Sequence, residues 1–264
     1  MSILQNKSTR ALIIIMLALV IFGALIAKVY YSRINQSVDP RIKPARELYG
    51  QYNSLAQNNN YEGIFQLLDS VEAIYSKITH YQDSYETGVV WNNRAAAYLT
   101  LAVYKDSLPD LGGSDRLNGI SHDSLLQLSE QASINSINIY ENWQGRFQDI
   151  EEDEIAEMIN PSFLSGLESY SEKKRKMILD QRIKEIEEAK WETQRRLSVA
   201  YTNLGLIYRH RNDFNTAAQY YKKALELWED NLSAENNLNR LLGKPLRKRS
   251  IIQKLFPHER KKEM

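Results

Sequence analysis

Ser198–Asn231 reads SVAYTNLGLIYRHRNDFNTAAQYYKKALELWEDN. Its apolar and small residues, Tyr201, Leu204, Gly205, Tyr208, Phe214, Ala217, Tyr221 and Ala224, follow helical spacing on both sides of a polar break at Asn212 and Asp213. Two amphipathic helices joined by a tight turn account for that pattern. The rest of the chain is compatible: with 11 glycines, 6 prolines and few runs of β-branched residues, it favours helix throughout.

The stretch resembles a tetratricopeptide repeat. In that family, small residues at the places of Gly205, Ala217 and Ala224 let two antiparallel helices approach closely, and aromatics fill the gaps between them. Glu229 stands near the place of the proline that often ends the second helix, which is a departure. The resemblance implies an all-α fold, a right-handed stack of antiparallel helix hairpins, and work done by binding proteins or peptides.

Two weaker units precede it. Near 45–78, Asn59, Asn60 and Tyr61 parallel Asn212, Asp213 and Phe214, and Leu48, Leu55, Ile64, Leu68 and Val71 fall at the apolar places. Gln51 and Tyr52 occupy the places of Leu204 and Gly205, so this unit is degenerate. Near 88–142, Trp91, Ala95 and Tyr98 take the places of Tyr201, Gly205 and Tyr208, with Arg94 a mismatch. Its second helix is expected over Ser124–Trp143, with Ala132 small and Ile139 apolar. An insertion near 105–121, with Pro109, Gly112, Gly113 and Gly119, comes before it. Generic amphipathic helices are the alternative for both units.

A second insertion, 144–190, carries no repeat signature. Its acidic run Asp149, Glu151, Glu152, Asp153 and Glu154 reads as a solvated helix face, without the spaced oxygen ligands of a calcium loop. A break is expected at Asn160 and Pro161. From Ser171 the chain reaches Gly205 without proline or glycine, which predicts one long helix. Its stripe of Leu179, Ile183 and Ile186 is too short for an intermolecular coiled coil and is expected to pack within the chain. After Asn231 a capping helix should turn Leu232, Leu238 and Leu241 to the last repeat and Asn236, Asn237, Asn239 and Arg240 to water, ending at Gly243 and Pro245. The helical domain is thus expected over 45–243.

Upstream, a short basic tail (1–10) precedes an apolar run at 11–29, about 19 residues or roughly 28 Å of helix, enough for a single-pass membrane anchor. A cleaved signal peptide is disfavoured by the length and by Leu25 or Phe22 three residues before the available cuts. The segment 30–44, with Pro40 and Pro44, reads as a stiff spacer. Lys28, Arg33, Arg41, Lys43 and Arg46 after the run favour a cytoplasmic domain by positive-inside counting. The tail with Lys7 and Arg10 is the ordinary start of an anchor with its amino end inside. The extracytoplasmic side is the reading taken, with the cytoplasmic side open.

The 34 basic and 33 acidic residues nearly cancel, so no global field points to nucleic acid. Zero cysteines exclude disulfides, a thiolate metal site and a thiol nucleophile. His80, His122, His210 and His258 are scattered, and Gly112 and Gly113 read as turn residues, so no cofactor, metal or catalytic residue is expected. The resemblance instead implies a groove lined by the first helix of each hairpin: Tyr49, Asn53 and Ala56, then Asn92, Asn93, Ala96 and Leu99, then Thr202, Asn203, Leu206, Arg209 and His210. Asparagine amides there suit an extended peptide backbone, or else they brace neighbouring helices. Asn92, Asn93, Thr202 and Asn203 replace the lysines and arginines with which some relatives grip a terminal carboxylate. A structural subunit of a membrane complex, using the convex face and the insertions, is the alternative function. The basic tail 244–264, with Ile251, Ile252, Leu255 and Phe256 among its cations, suits either solvent or anionic lipid.

Overall fold

The computed structural model describes residues 7–104, 117 and 119–249, apart from the side chains of 7–11, 29–35 and 161. Among them the structure is helical, without strands. In order the helices are α1 (Lys7–Ser37), α2 (Lys43–Tyr49), α3 (Tyr52–Gln57), α4 (Tyr61–Tyr75), α5 (Thr79–Gln82), α6 (Tyr85–Tyr104), α7 (His122–Phe147), α8 (Glu152–Phe163), α9 (Glu172–His210), α10 (Phe214–Leu227) and α11 (Leu232–Leu241). Each hairpin packs on the next: α2 and α3 on α4, α4 on α6, α6 on α7, both of these on α9, α9 on α10, and α10 on α11.

The turns of the first and last hairpins share one geometry. Asn59 (φ 53°) and Asn212 (φ 62°) adopt the left-handed conformation that asparagine tolerates better than most side chains. In both, the next amide reaches five residues back, Asn60 N to Leu55 O and Asp213 N to Tyr208 O, each at 2.9 Å. That next residue also caps the second helix: the Asn60 side chain accepts from Gly63 N at 2.9 Å, and Asp213 accepts from Thr216 N at 3.1 Å. This shared turn sets the two segments antiparallel.

Close approach of the helices depends on glycine. A Cβ on Gly205 would fall inside the Tyr221 ring, and one on Gly88 inside the Tyr140 ring. Buried serines stitch the same seams. Ser198 Oγ donates to Ala224 O (2.6 Å), Ser136 Oγ to Gly88 O (3.0 Å) and Ser129 Oγ to Ala95 O (2.8 Å). Tyr201, Leu204, Gly205, Ala217, Tyr221 and Ala224 are buried, and Tyr208 is half-buried with its hydroxyl on Glu130. Phe214, expected at this interface, is 52% exposed. Its counterpart Tyr61 is buried and bonds to Thr100 on the following α6.

Several other expectations need correction. Gly50 and Gln51 split the first hairpin's leading helix into α2 and α3. Helix α8 continues past Asn160 and Pro161 to Phe163, although the proline offers no N–H to the carbonyl four residues back. On α11 the buried residues are Ala234 and Asn237, while the three leucines are half-buried. The mismatched Arg94 is buried, paired with Asp69 (2.7 Å) and Glu72 (2.8 Å) and lying over Trp91 (4.5 Å), so it ties α6 to α4. Most of the 105–121 insertion and the tail beyond Arg249 lie outside the described residues. Arg247 and Arg249 fold back on Glu235 and Asp230 O.

The 39-residue α9 is the spine. Its stripe of Leu179, Ile183 and Ile186 is buried within the chain's own core. Arg182, 5% exposed, bonds to Glu86 of α6 at 2.5 Å and covers Tyr81 at 4.3 Å, and Glu185 takes Arg46 of α2 at 2.7 Å. Burial would raise the Glu86 carboxyl, but the charge and hydrogen bonds of Arg182 outweigh it and leave its pKa below 4.5.

The proposed spacer is not free. Helix α1 runs to Ser37, where Ser37 Oγ meets Gln181 at 3.3 Å and Lys174 Nζ meets Gln36 O. Asp39 and Ile42 are buried, and Arg41 donates to Ser165 O (2.6 Å) and Phe163 O (2.9 Å). Among the described residues no helix is long and apolar enough to cross a membrane. Within the expected span 11–29 the described side chains run from Leu12 to Lys28, all exposed.

Two substitutions test this packing. Gly205→Val, in which overpacking outweighs the helix propensity gained over glycine, should lower the unfolding free energy by about 2 kcal/mol in urea titrations; an unchanged midpoint would contradict the close approach. Glu86→Gln leaves Arg182 without its carboxylate and should cost about 3 kcal/mol at neutral pH. The depressed Glu86 pKa makes the native pair's contribution complete above pH 4.5 and lost as pH falls through the folded value. The gap between native and variant chains should therefore close on acidification, and a constant gap would refute the assignment.

Candidate partner-binding face

The leading helices of the three hairpins meet around one tyrosine-rich cluster. From α6, Asn93 Nδ2 donates to Tyr49 Oη on α2, and the Tyr49 ring stacks on Tyr52 at 5.7 Å. From α9, Arg196 Nε donates to Tyr85 Oη at 3.3 Å. The Tyr85 ring leans on Tyr140 of α7 at 5.7 Å, and Tyr140 is the residue that roofs Gly88. The glycine that permits the helix contact thus also fixes the floor of the cluster.

Its electrostatics favour an electron-rich guest. Burial raises the hydroxyls of Tyr49, Tyr85 and Tyr140, and raises Tyr52 to about 12. All four stay protonated at neutral pH. Burial opposes the charge of Arg196, and its hydrogen bond to the Tyr85 hydroxyl favours it. Arg46, Arg94, Arg182 and Arg211 each hold a carboxylate within 2.8 Å. Arg196 holds none among the described residues; its Nε donates to the Tyr85 hydroxyl.

Tyr49 Oη accepts from Asn93, which leaves its proton to donate elsewhere. Two more polar atoms, Asn92 Oδ1 and Asn203 Nδ2, are buried without a partner. Such atoms are few in folded proteins and mark unmet hydrogen-bonding capacity. Donors from arginine, amide and phenol beside an amide acceptor match the alternating groups of an extended peptide backbone.

The structure divides the expected groove residues. Tyr49, Asn93 and, by their unmet groups, Asn92 and Asn203 remain candidates. Asn53 is exposed, and Leu206 packs against the core. Thr202 is a brace: its Oγ1 donates to Ser198 O (2.8 Å) and accepts from Asn231 Nδ2 (3.0 Å), while the Asn231 side chain caps α11 at Ala234 N (3.1 Å). Arg209 donates to Asn237 Oδ1 at 3.0 Å and so secures the same cap. His210 lies elsewhere, in an open polar depression with Asp123, Gln127, Glu130, Arg211 and Asn212, its ring 6.3 Å from His122. Burial, then Arg209 and His122, lowers its pKa. Among the described residues no group of histidine and carboxylate side chains could hold a metal ion.

Sequence reasoning missed Arg196, Tyr85 and Tyr140. A signal existed for two of them, since Tyr85 and Arg196 lie seven residues before Asn92 and Asn203, on the same helix faces. Both precede the repeat units as delimited from sequence, whereas the helices that carry them do not stop there.

Residues 198–231 match the family model of the tetratricopeptide repeat. The match covers the end of α9, its turn and α10, the hairpin built on Gly205 and Tyr221. No curated protein and no solved structure matches the chain.

Proposed function

We propose that the chain is a membrane-anchored, non-catalytic scaffold that binds an extended segment of a partner protein on the face shared by α2, α6 and α9. The observation that carries this reading is Arg196, a half-buried guanidinium set among neutral tyrosine hydroxyls without a carboxylate of its own. A guest carboxylate or backbone carbonyl would supply the missing acceptor with a charge-assisted hydrogen bond. The tetratricopeptide match adds support, since arrays of such repeats present extended binding surfaces to proteins.

The anchor is supported by α1. Leu12, Ile14, Ile15, Met16, Leu17, Leu19, Val20 and Phe22 are each more than half exposed, on a helix with no charged residue between Arg10 and Lys28. Water contact costs about 25 cal/mol per Å² of such surface, and lipid tails remove that cost. The short basic tail that precedes the apolar run supports an extracytoplasmic body, with the cytoplasmic side as the alternative.

Recovery of partners with the tagged full chain from native membranes tests the face. Arg196→Gln should reduce recovery of the partner about tenfold or more, and Arg211→Gln, which alters the Glu130 pair elsewhere, should leave it unchanged. Equal recovery with Arg196→Gln would contradict the assignment.

A further inference from the structure

The junction between α1 and α9 orders these two helices relative to one another. Lys174 meets Gln36, Gln181 meets Ser37, and Glu185 meets Arg46. Going down α9 from its amino end, the contacts move steadily away from the apolar part of α1. The first turns of α9 therefore lie against the last turn of α1, the end that continues from the exposed stretch Leu12–Lys28. Because α1 is one uninterrupted helix to Ser37, the rise from Lys28 to Gln36 is roughly 12 Å. Arg41 locks the chain just beyond it to Phe163 O and Ser165 O, so the separation is not free to grow.

That end of α9 carries four successive cations, Lys173, Lys174, Arg175 and Lys176, against a single acidic residue in its first turn, Glu172. Lys174 is accounted for by Gln36 O. Lys173 and Lys176 are exposed and have no ion-pair partner among the described residues. Helix stability does not explain them, because positive charge at a helix amino end opposes the macrodipole.

We infer that this basic edge rests on the anionic phospholipid headgroups of the bilayer that holds α1. The inference builds on the membrane-anchored reading above. The apolar stretch would end at the hydrocarbon boundary, and the rigid rise of α1 then sets Lys173 and Lys176 within side-chain reach of the headgroup layer and about a Debye length of its charge. The helix supplies depth, and the two lysines supply orientation. Together they would fix which way the partner-binding face looks from the membrane.

The full chain, reconstituted into nanodiscs of phosphatidylcholine alone or with added phosphatidylglycerol, provides the test. Acetylation of individual lysines by an uncharged reagent is followed by mass spectrometry, with exposed Lys222 on α10 as internal reference. Lys173 and Lys176 should react about fivefold more slowly in the anionic discs, the effect should fade at high salt, and Lys222 should react alike in both. A chain that enters both discs and labels equally overturns this inference alone. A chain that enters neither overturns the anchor and this inference with it.

Discussion

A glycine beneath a tyrosine ring sets the helix spacing on which this array depends. Gly205 under Tyr221 holds α10 against α9, and Gly88 under Tyr140 holds α7 against α6. Both contacts bring backbone near enough for serine hydroxyls to reach across: Ser198 to Ala224 O in one hairpin, Ser136 to Gly88 O in the other. With those two hairpins closed, α6 and α9 pack directly, and Arg196 arrives beside Tyr85 and Tyr140. A methyl group on either glycine would push the rings outward, and the cluster that depends on them would open.

The second constraint is electrostatic and joins the hairpins lengthwise. Arg182 with Glu86 and Arg94 with Asp69 and Glu72 link neighbouring hairpins, and Glu185 with Arg46 links the last to the first, through arginines partly or wholly removed from water. Breaking a pair of this kind costs more than its net contribution, because the surviving charge is left without a partner. Arg196 takes no part in these links: among the described residues it has no carboxylate, and its Nε donates to the Tyr85 hydroxyl. The lengthwise links also reach α1, whose final turn is held by Gln181 and Lys174. The apolar helix and the array therefore form a continuous body, with no spacer between them.

Much of the fold was legible in the sequence, for local reasons. Helical spacing, small residues at Gly205, Ala217 and Ala224, and the Asn-Asp turn specify a hairpin through contacts close together in the chain, and Asn59–Asn60 repeats the device. The long helix from Ser171 followed from the lack of any breaker. What stayed hidden depended on which neighbour covers a residue. Phe214 is exposed at the start of α10, whereas the equivalent Tyr61 is covered by α6. Arg94 looked like a mismatch until Asp69 and Glu72, on another helix, gave it a place. The candidate face was half legible: the sequence names Tyr49, Asn92, Asn93 and Asn203, which stay candidates, whereas Thr202 and Arg209 brace α11. Arg196 was missed because its role comes from tyrosines on α6 and α7.

The central claim is that partner contact occurs on the face shared by the leading helices. Site-specific photocrosslinking in native membranes addresses it most directly, with the probe placed at Ala96 on α6, near Asn93, and separately at exposed Lys222 on α10. The account predicts a defined partner adduct from position 96 and none from position 222. An adduct from position 222, with none from position 96, would contradict it.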